Sequence, residues 1–221
     1  LGAFLGFLNS MVLISAGALT QAEALFITFG MSAVYSALAL IYTDGSTQHM
    51  SWLEGNQSIF NSIGSGMVGI LSVSFLIFLV SLAALWVFHN KTYSGRSISY
   101  TGGNKVAAEL SGIPIKRSVI LIYTICGLMS AIGAVVLFSR ITTAAPIIGK
   151  GYETNAILSV VVGGTTLKGG KGSVLRTVLG VLLITLMSNC MNLLGVSSYM
   201  QVVLKGAILV VAIWLDNRKE Q

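Results

Sequence analysis

The stretch VVVGGTTLKGGKGS, residues 160–173, has the residue types of a phosphate-binding loop: a valine run, a glycine-rich turn, lysine and serine. A phosphate loop of the Walker type needs G-x-x-x-x-G-K-[ST], so that backbone N–H groups wrap the phosphates and the hydroxyl after the lysine holds Mg²⁺. The only glycine–lysine pair is Gly170–Lys171; Gly172 follows where Ser or Thr is required, and Thr165 stands where the first glycine belongs. The other candidates for chemistry are scattered. His49 and His89 lie outside the apolar spans, Cys126 and Cys190 lie inside them, and no His, Cys or carboxylate cluster recurs at metal-ligand spacing. The two thiols read as buried and inert. None of the seven carboxylates falls at the centre of an apolar span, which argues against an ion-coupled carrier. The sequence contains no catalytic constellation and no resident cofactor or metal is expected, so function has to be sought in the elements.

Those elements belong to a membrane. Of 221 residues, 54% are hydrophobic and 9% charged, with a mean hydropathy of +0.85; soluble domains carry about 25% charged residues. The 25 glycines against two prolines suit closely packed membrane helices. The net charge of +6 would suggest nucleic acid in a soluble protein. Here the basic residues fall between apolar spans, so they read as topology signals and no nucleic-acid partner is expected. The chain begins LGAFLGFLNS, without Met or a basic flank, and reads as a cut through an existing span of a longer protein, with spans missing before residue 1.

Apolar stretches at about 1–19, 24–42, 66–88, 118–137, 155–167, 174–194 and 200–215 predict an all-α, polytopic helical bundle of about seven membrane segments in a single transmembrane domain, 1–221. The stretch 155–167 is too short to cross as one helix: thirteen residues reach about 20 Å of a ~30 Å hydrocarbon core. It is expected to be a broken or re-entrant helix, with Gly163 and Gly164 ending it or admitting a neighbour, and Glu153 at its N-terminal end. If it crosses, Lys91, Arg96, Lys105, Lys116, Arg117, Lys168, Lys171, Arg176, Arg218 and Lys219 share one side, and Arg140 and Lys150 the other. If it re-enters, the charges scatter. The positive-inside rule selects the crossing arrangement, with the C-terminus in the cytoplasm. Trp86 and Trp214 then mark inner ends, and Tyr42 and Tyr199 outer ones. The polar stretch 43–65 contains no Lys or Arg but holds Trp52, Ile59 and Phe60, enough to lay a short helix on the outer surface.

The cytoplasmic loop 89–117 contains SYTGGNKVAAELSGIPIKR, residues 99–117. Asn104 suits an N-cap, Gly112 the C′ position, and Pro114 prevents continuation, so a short helix over 104–111 is predicted. Ala107, Ala108 and Leu110 offer small and apolar contact positions. A rigid helix held between membrane spans can receive force from a soluble motor; a plain amphipathic connector is the alternative.

YTGGNKVAAELSGI (100–113) resembles the coupling-loop signature of permease subunits of ATP-binding cassette importers in the ribose and branched-chain amino acid permease superfamily. Three further stretches resemble its monosaccharide branch in order: GFLNSMVLISAGALTQAEALFITFGMSAVYSALALIYTDG (6–45), GKGYETNAILSVVVGGTTLKGGKGSVLRTVLG (149–180) and NLLGVSSYMQVVLKGAILVVAIWLD (192–216). TQAEALFITFG replaces a Pro-containing start usual in the family, and Arg176 stands where glycine is common. The resemblance implies a homo- or heterodimeric permease in a bacterial cytoplasmic membrane. It further implies a separate ATPase subunit that binds ATP and Mg²⁺, and an extracytoplasmic solute-binding protein. Gly102, Gly103, Asn104, Ala107, Ala108, Ser111 and Gly112 would form the coupling element. A ribose-like monosaccharide is the expected solute; an autoinducer-2-like furanone, a nucleoside or a branched-chain amino acid are the alternatives. An ion-coupled secondary transporter and a membrane enzyme are weaker readings.

For the path, polar residues in apolar spans are costly and mark candidate solute contacts: Asn9, Thr28, Ser32, Asn155, Thr165 and Asn189. Each has the plain alternative of an interhelical hydrogen bond. Arg140 and Lys150 are candidates to meet carboxylates of the binding protein, with a solvated role as the alternative.

Overall fold

The computed structural model describes residues 1–17, 20–49, 57–167 and 169–218. Trp52, Lys168 and Lys219, named above, lie outside the described residues. The chain divides into two compact units, residues 1–85 with 112–148, and residues 86–111 with 149–221.

In the first unit, α1 (Gly2–Ser15) packs along α7 (Ile115–Ile141). Small residues at four-residue spacing make this contact: Gly2, Gly6 and Ser10 fall on one stripe of α1, and a Cβ on Gly6 would collide with the Tyr123 carbonyl. Gly127 faces the same stripe, where a Cβ would stand 3.0 Å from the Gly6 Cα. Membrane helices associate through such close backbone approach, since lipid supplies no hydrophobic drive between them. Tyr35 on α2 (Gln21–Thr43) donates its hydroxyl to the Leu5 carbonyl at 3.2 Å. A short helix does form in the 43–65 stretch: α3 (Gln57–Ser65) lies against α7, with Phe60 edge-on to Phe138 at 5.4 Å and Gly64 against the Ser139 backbone. Strand β1 (Gln48–His49) pairs antiparallel with β4 (Thr143–Ala144).

The stretch 66–88 departs from the expected single helix. Its first residues form a hairpin of β2 (Met67–Val68) and β3 (Leu71–Ser72), turned by Gly69 at φ +65, and α4 (Val73–Lys91) starts only afterwards. Hydropathy alone does not distinguish an apolar hairpin from the start of an apolar helix.

In the second unit, α5 (Tyr93–Gly103) and α6 (Lys105–Leu110) form the connector. Helices α8 (Tyr152–Val162) and α9 (Val174–Leu193) form a hairpin, and α10 (Ser198–Arg218) packs on α8. Helix α8 is short, as expected, but spans 152–162 rather than 155–167. Gly163 caps it, and Gly164 turns the chain at φ +80. Gly163 also admits the Arg176–Thr177 backbone, and Gly180 the Ser159 carbonyl, so termination and close approach are both realised. Glu153 accepts the Gly151 N–H at 3.1 Å ahead of the helix. Buried Gln201 donates to Asn192 Oδ1 at 2.7 Å and to the Val196 carbonyl at 3.0 Å, closing the α9–α10 turn. Arg218 covers the Trp214 ring at 4.6 Å, an arrangement suited to an interfacial helix end.

Among the described residues, each of the seven apolar stretches contains helix, although 66–72 and 163–167 do not continue it. Four helices among the described residues are long and apolar enough to cross a membrane: 22–43, 73–91, 115–141 and 174–193. Cys126 and Cys190 are exposed on this chain rather than buried; an apolar span has faces for lipid and for partners as well as for its own core.

Candidate coupling surface and path residues

The connector is built by two consecutive caps. Thr92 opens α5: its Oγ1 accepts the Gly95 N–H at 3.1 Å and donates to the Phe88 carbonyl at 2.6 Å. Asn104 then serves two helices. Its N–H donates to the Tyr100 carbonyl at the end of α5, while its Oδ1 accepts the Ala107 N–H at 3.0 Å at the start of α6. Ser111 returns its hydroxyl to the Ala107 carbonyl at 2.8 Å, and Gly112 takes the left-handed turn at φ +76. Pro114 caps α7. A six-residue helix is marginal by itself, so these end contacts decide whether it forms. The helix runs 105–110, within the expected 104–111.

The two alanines part company. Ala107 is exposed, whereas Ala108 is 3% exposed and belongs to the protein's interior. The face open to a partner carries Val106, 67% exposed, and Leu110, 86% exposed, one turn apart, with Gly102, Gly103, Asn104 and Ser111 also exposed. Two bare aliphatic side chains on a connector with Lys105 and Glu109 form an apolar contact point with a polar surround, the arrangement of a protein-docking patch. Val106 was not apparent as a contact residue, although its i, i+4 relation to Leu110 is the signal that finds it. Helix α5 was also missed; Thr92 three residues before Gly95 is its only strong local cue.

The glycines at 102–103 have a further neighbour in the same unit. Their backbone lies against Gly169 and Gly170 in the turn between α8 and α9: a Cβ on Gly170 would stand 2.5 Å from the Gly103 Cα. The glycine-rich turn that failed as a phosphate loop therefore rests on the connector.

The path candidates are spread over both units. In the first, Asn9 sits on α1 with a buried Oδ1 that lacks a hydrogen-bond partner. Thr28 and Ser32 occupy successive turns of α2, but their hydroxyls bond their own helix, at Leu25 O (3.0 Å) and Phe29 O (2.7 Å). In the second unit, Asn155 is in the first turn of α8, while Thr165 lies just past its C-terminal end, beyond the turn at Gly164. Thr165 Oγ1 is buried without a hydrogen-bond partner, and Asn189 is exposed on α9. Arg140, in the last turn of α7, and Lys150, before α8, are exposed. Among the described residues no group of three His, Cys, Asp or Glu could hold a metal.

Residues 1–213 match the family described as branched-chain amino acid transport system / permease component. The chain belongs to this family. The permease is 35% identical to the ribose import permease protein RbsC of Escherichia coli (strain K12), over all of this chain and 67% of the relative. It is 40% identical to RbsC of Bacillus subtilis (strain 168), over 87% of this chain and 59% of that protein. It is 33% identical to the galactose/methyl galactoside import permease protein MglC of Escherichia coli (strain K12), over 99% of this chain and 65% of that protein. The permease thus spans about two thirds of the length of these relatives. No solved structure matches it. Membership makes it a multi-pass membrane transport protein rather than an enzyme, in agreement with the four spanning helices.

Proposed function

We propose that this permease is the membrane subunit of an ATP-binding cassette importer, forming part of the path for ribose or a closely related monosaccharide. The observation that carries the transport mechanism is the doubly capped connector with Val106 and Leu110 exposed on its surface. The sugar rests on the names of relatives that match along the full chain. In this reading, an ATPase subunit that holds ATP and Mg²⁺ receives α6 on the cytoplasmic side, where the C-terminus also lies. A second permease subunit completes the path, and an extracytoplasmic binding protein delivers the sugar near Arg140 and Lys150. Asn9 and Thr165 are the strongest path candidates, since their buried oxygens lack protein partners and an unpaired buried acceptor is costly unless something visits it. Thr28 and Ser32 are weaker, their hydroxyls being engaged.

The chain's similarity to the galactose permease supports a second sugar class. The deciding experiment is uptake into proteoliposomes containing the assembled importer and its binding protein. ATP-dependent accumulation of labelled ribose that excess galactose does not suppress supports the assignment; accumulation of labelled galactose without that of ribose moves it to hexoses. Leu110→Asp is expected to lower recovery of the ATPase with the permease by about tenfold, the effect of removing roughly 1.4 kcal/mol of contact. Unchanged recovery would reject α6 as the docking element.

A further inference from the structure

The geometry points to a mechanical link between the connector and α8: the backbone contact of Gly102–Gly103 with Gly169–Gly170 carries movement of α5–α6 to the C-terminal end of α8. This rests on the functional reading above and adds the route by which force enters the membrane part.

Three observations converge on it. The contact is backbone to backbone, so no flexible side chain intervenes to absorb a displacement: a Cβ on Gly169 would stand 2.7 Å from the Gly102 carbonyl oxygen. Second, the turn that receives the contact is braced. Thr166 N–H donates to the Lys171 carbonyl at 3.1 Å, Gly169 N–H returns to the Thr166 carbonyl at 3.1 Å, and Thr166 Oγ1 donates to the Gly169 carbonyl at 2.9 Å. Third, the braced turn runs straight into α8. Thr165 N–H donates to the Val160 carbonyl at 3.2 Å and Gly164 N–H to the Val161 carbonyl at 2.9 Å, while Gly163 lies against the Arg176–Thr177 backbone of α9. A push on Gly169–Gly170 therefore displaces the end of α8 and the start of α9 together. Gly169 and Gly170 have φ of +91 and +78, a conformation that L side chains rarely adopt. Glycine meets both demands here, close approach and left-handed backbone.

Gly102 and Gly103 are thus positioning residues for transport, and they allow a graded test. Both lie in the last turn of α5, so alanine changes their helix propensity alike. A Cβ on Gly102 would stand 3.0 Å from the Gly170 nitrogen, tighter than ordinary contact, whereas one on Gly103 would stand 3.6 Å from the Gly170 Cα. Ribose transported per ATP hydrolysed is measured for the reconstituted importer with wild type, Gly103→Ala, Gly102→Ala and Gly102→Val. The ratio is taken on purified, assembled importer, so permease that does not fold and ATPase that is not bound to it do not enter it. It is expected to fall in that order, by about fivefold or more for Gly102→Val, the lower end of typical coupling between sites. Equal ratios for the two alanine variants, or a larger loss for Gly103→Ala, overturn the link, and the alanine pair decides the matter if the valine variant is not recovered. Wild type without ATP-driven ribose uptake fails the functional reading, and the link falls with it. Active wild type without the graded loss fails the link alone.

Discussion

Ala107 and Ala108 show how much a single residue's direction decides. They are chemically identical neighbours, but one is open to a partner and the other is interior. Substituting both together would confuse docking with folding, so they have to be separated. Ala107→Phe is expected to leave stability within about 0.5 kcal/mol, as for an ordinary surface site, while reducing recovery of the ATPase. Ala108→Phe overpacks the interior and should cost about 1–3 kcal/mol, read as a lower Tm in detergent. Equal Tm for the two variants would contradict this division. Gly6 makes a similar statement inside the membrane unit. Its Cβ would meet the rigid Tyr123 carbonyl rather than a movable side chain, so Gly6→Val should separate α1 from α7 and lower Tm; an unchanged Tm would show that the helices do not approach this closely.

At the scale of elements, legibility follows how local the information is. Helix α6 was readable because Asn104, Gly112 and Pro114 set its ends within ten residues of one another. Helix α8 was recognisable as short because its length falls below the membrane's thickness. The hairpin at 67–72 was not readable, since its residues are as apolar as the helix that follows and only Gly66 and Gly69 hint at the turn. The contact of 102–103 with 169–170 has no local signal beyond two glycine pairs, and their proximity exists only once the second unit folds. The exposure of Cys126 and Cys190 was hidden for the same reason, because hydropathy does not say which face of a span meets its own chain. Two elements invite tests. Asn104→Ala removes the cap acceptor and should cost about 0.5–2 kcal/mol; faster hydrogen exchange at residues 105–110 is the expected result. Thr166→Val removes the hydroxyl bonds that brace the turn, so hydrogen exchange at residue 169 should rise while α9 keeps its protection. Unchanged exchange at 169 would show that the main-chain bonds alone hold the turn.

For the molecule as a whole, everything about coupling depends on which side of the membrane the α8–α9 turn occupies. Helix α8 has 11 residues, about 16 Å of a ~30 Å core, so a crossing there needs irregular backbone on both flanks, enclosed by protein or water. The non-helical residues 145–151 on one flank, and 163–167 and 169–173 on the other, are the backbone available for it. The positive-inside rule favours the crossing, because it gathers Lys171 and Arg176 with the basic connector, and the glycine contact in the second unit requires the connector and the turn to share a side. A membrane-impermeant thiol reagent tests this in a background with Cys126 and Cys190 replaced by serine. Lys171→Cys is the better probe than a cysteine at Gly170, since Lys171 is exposed while Gly170 is left-handed and pressed on Gly103. It should react in inside-out vesicles and stay unlabelled in right-side-out ones, with Asn61→Cys in α3 showing the reverse. Labelling of Lys171→Cys from outside would place the turn away from the ATPase. The docking face and the link from α5 to α8 would then both have to be given up.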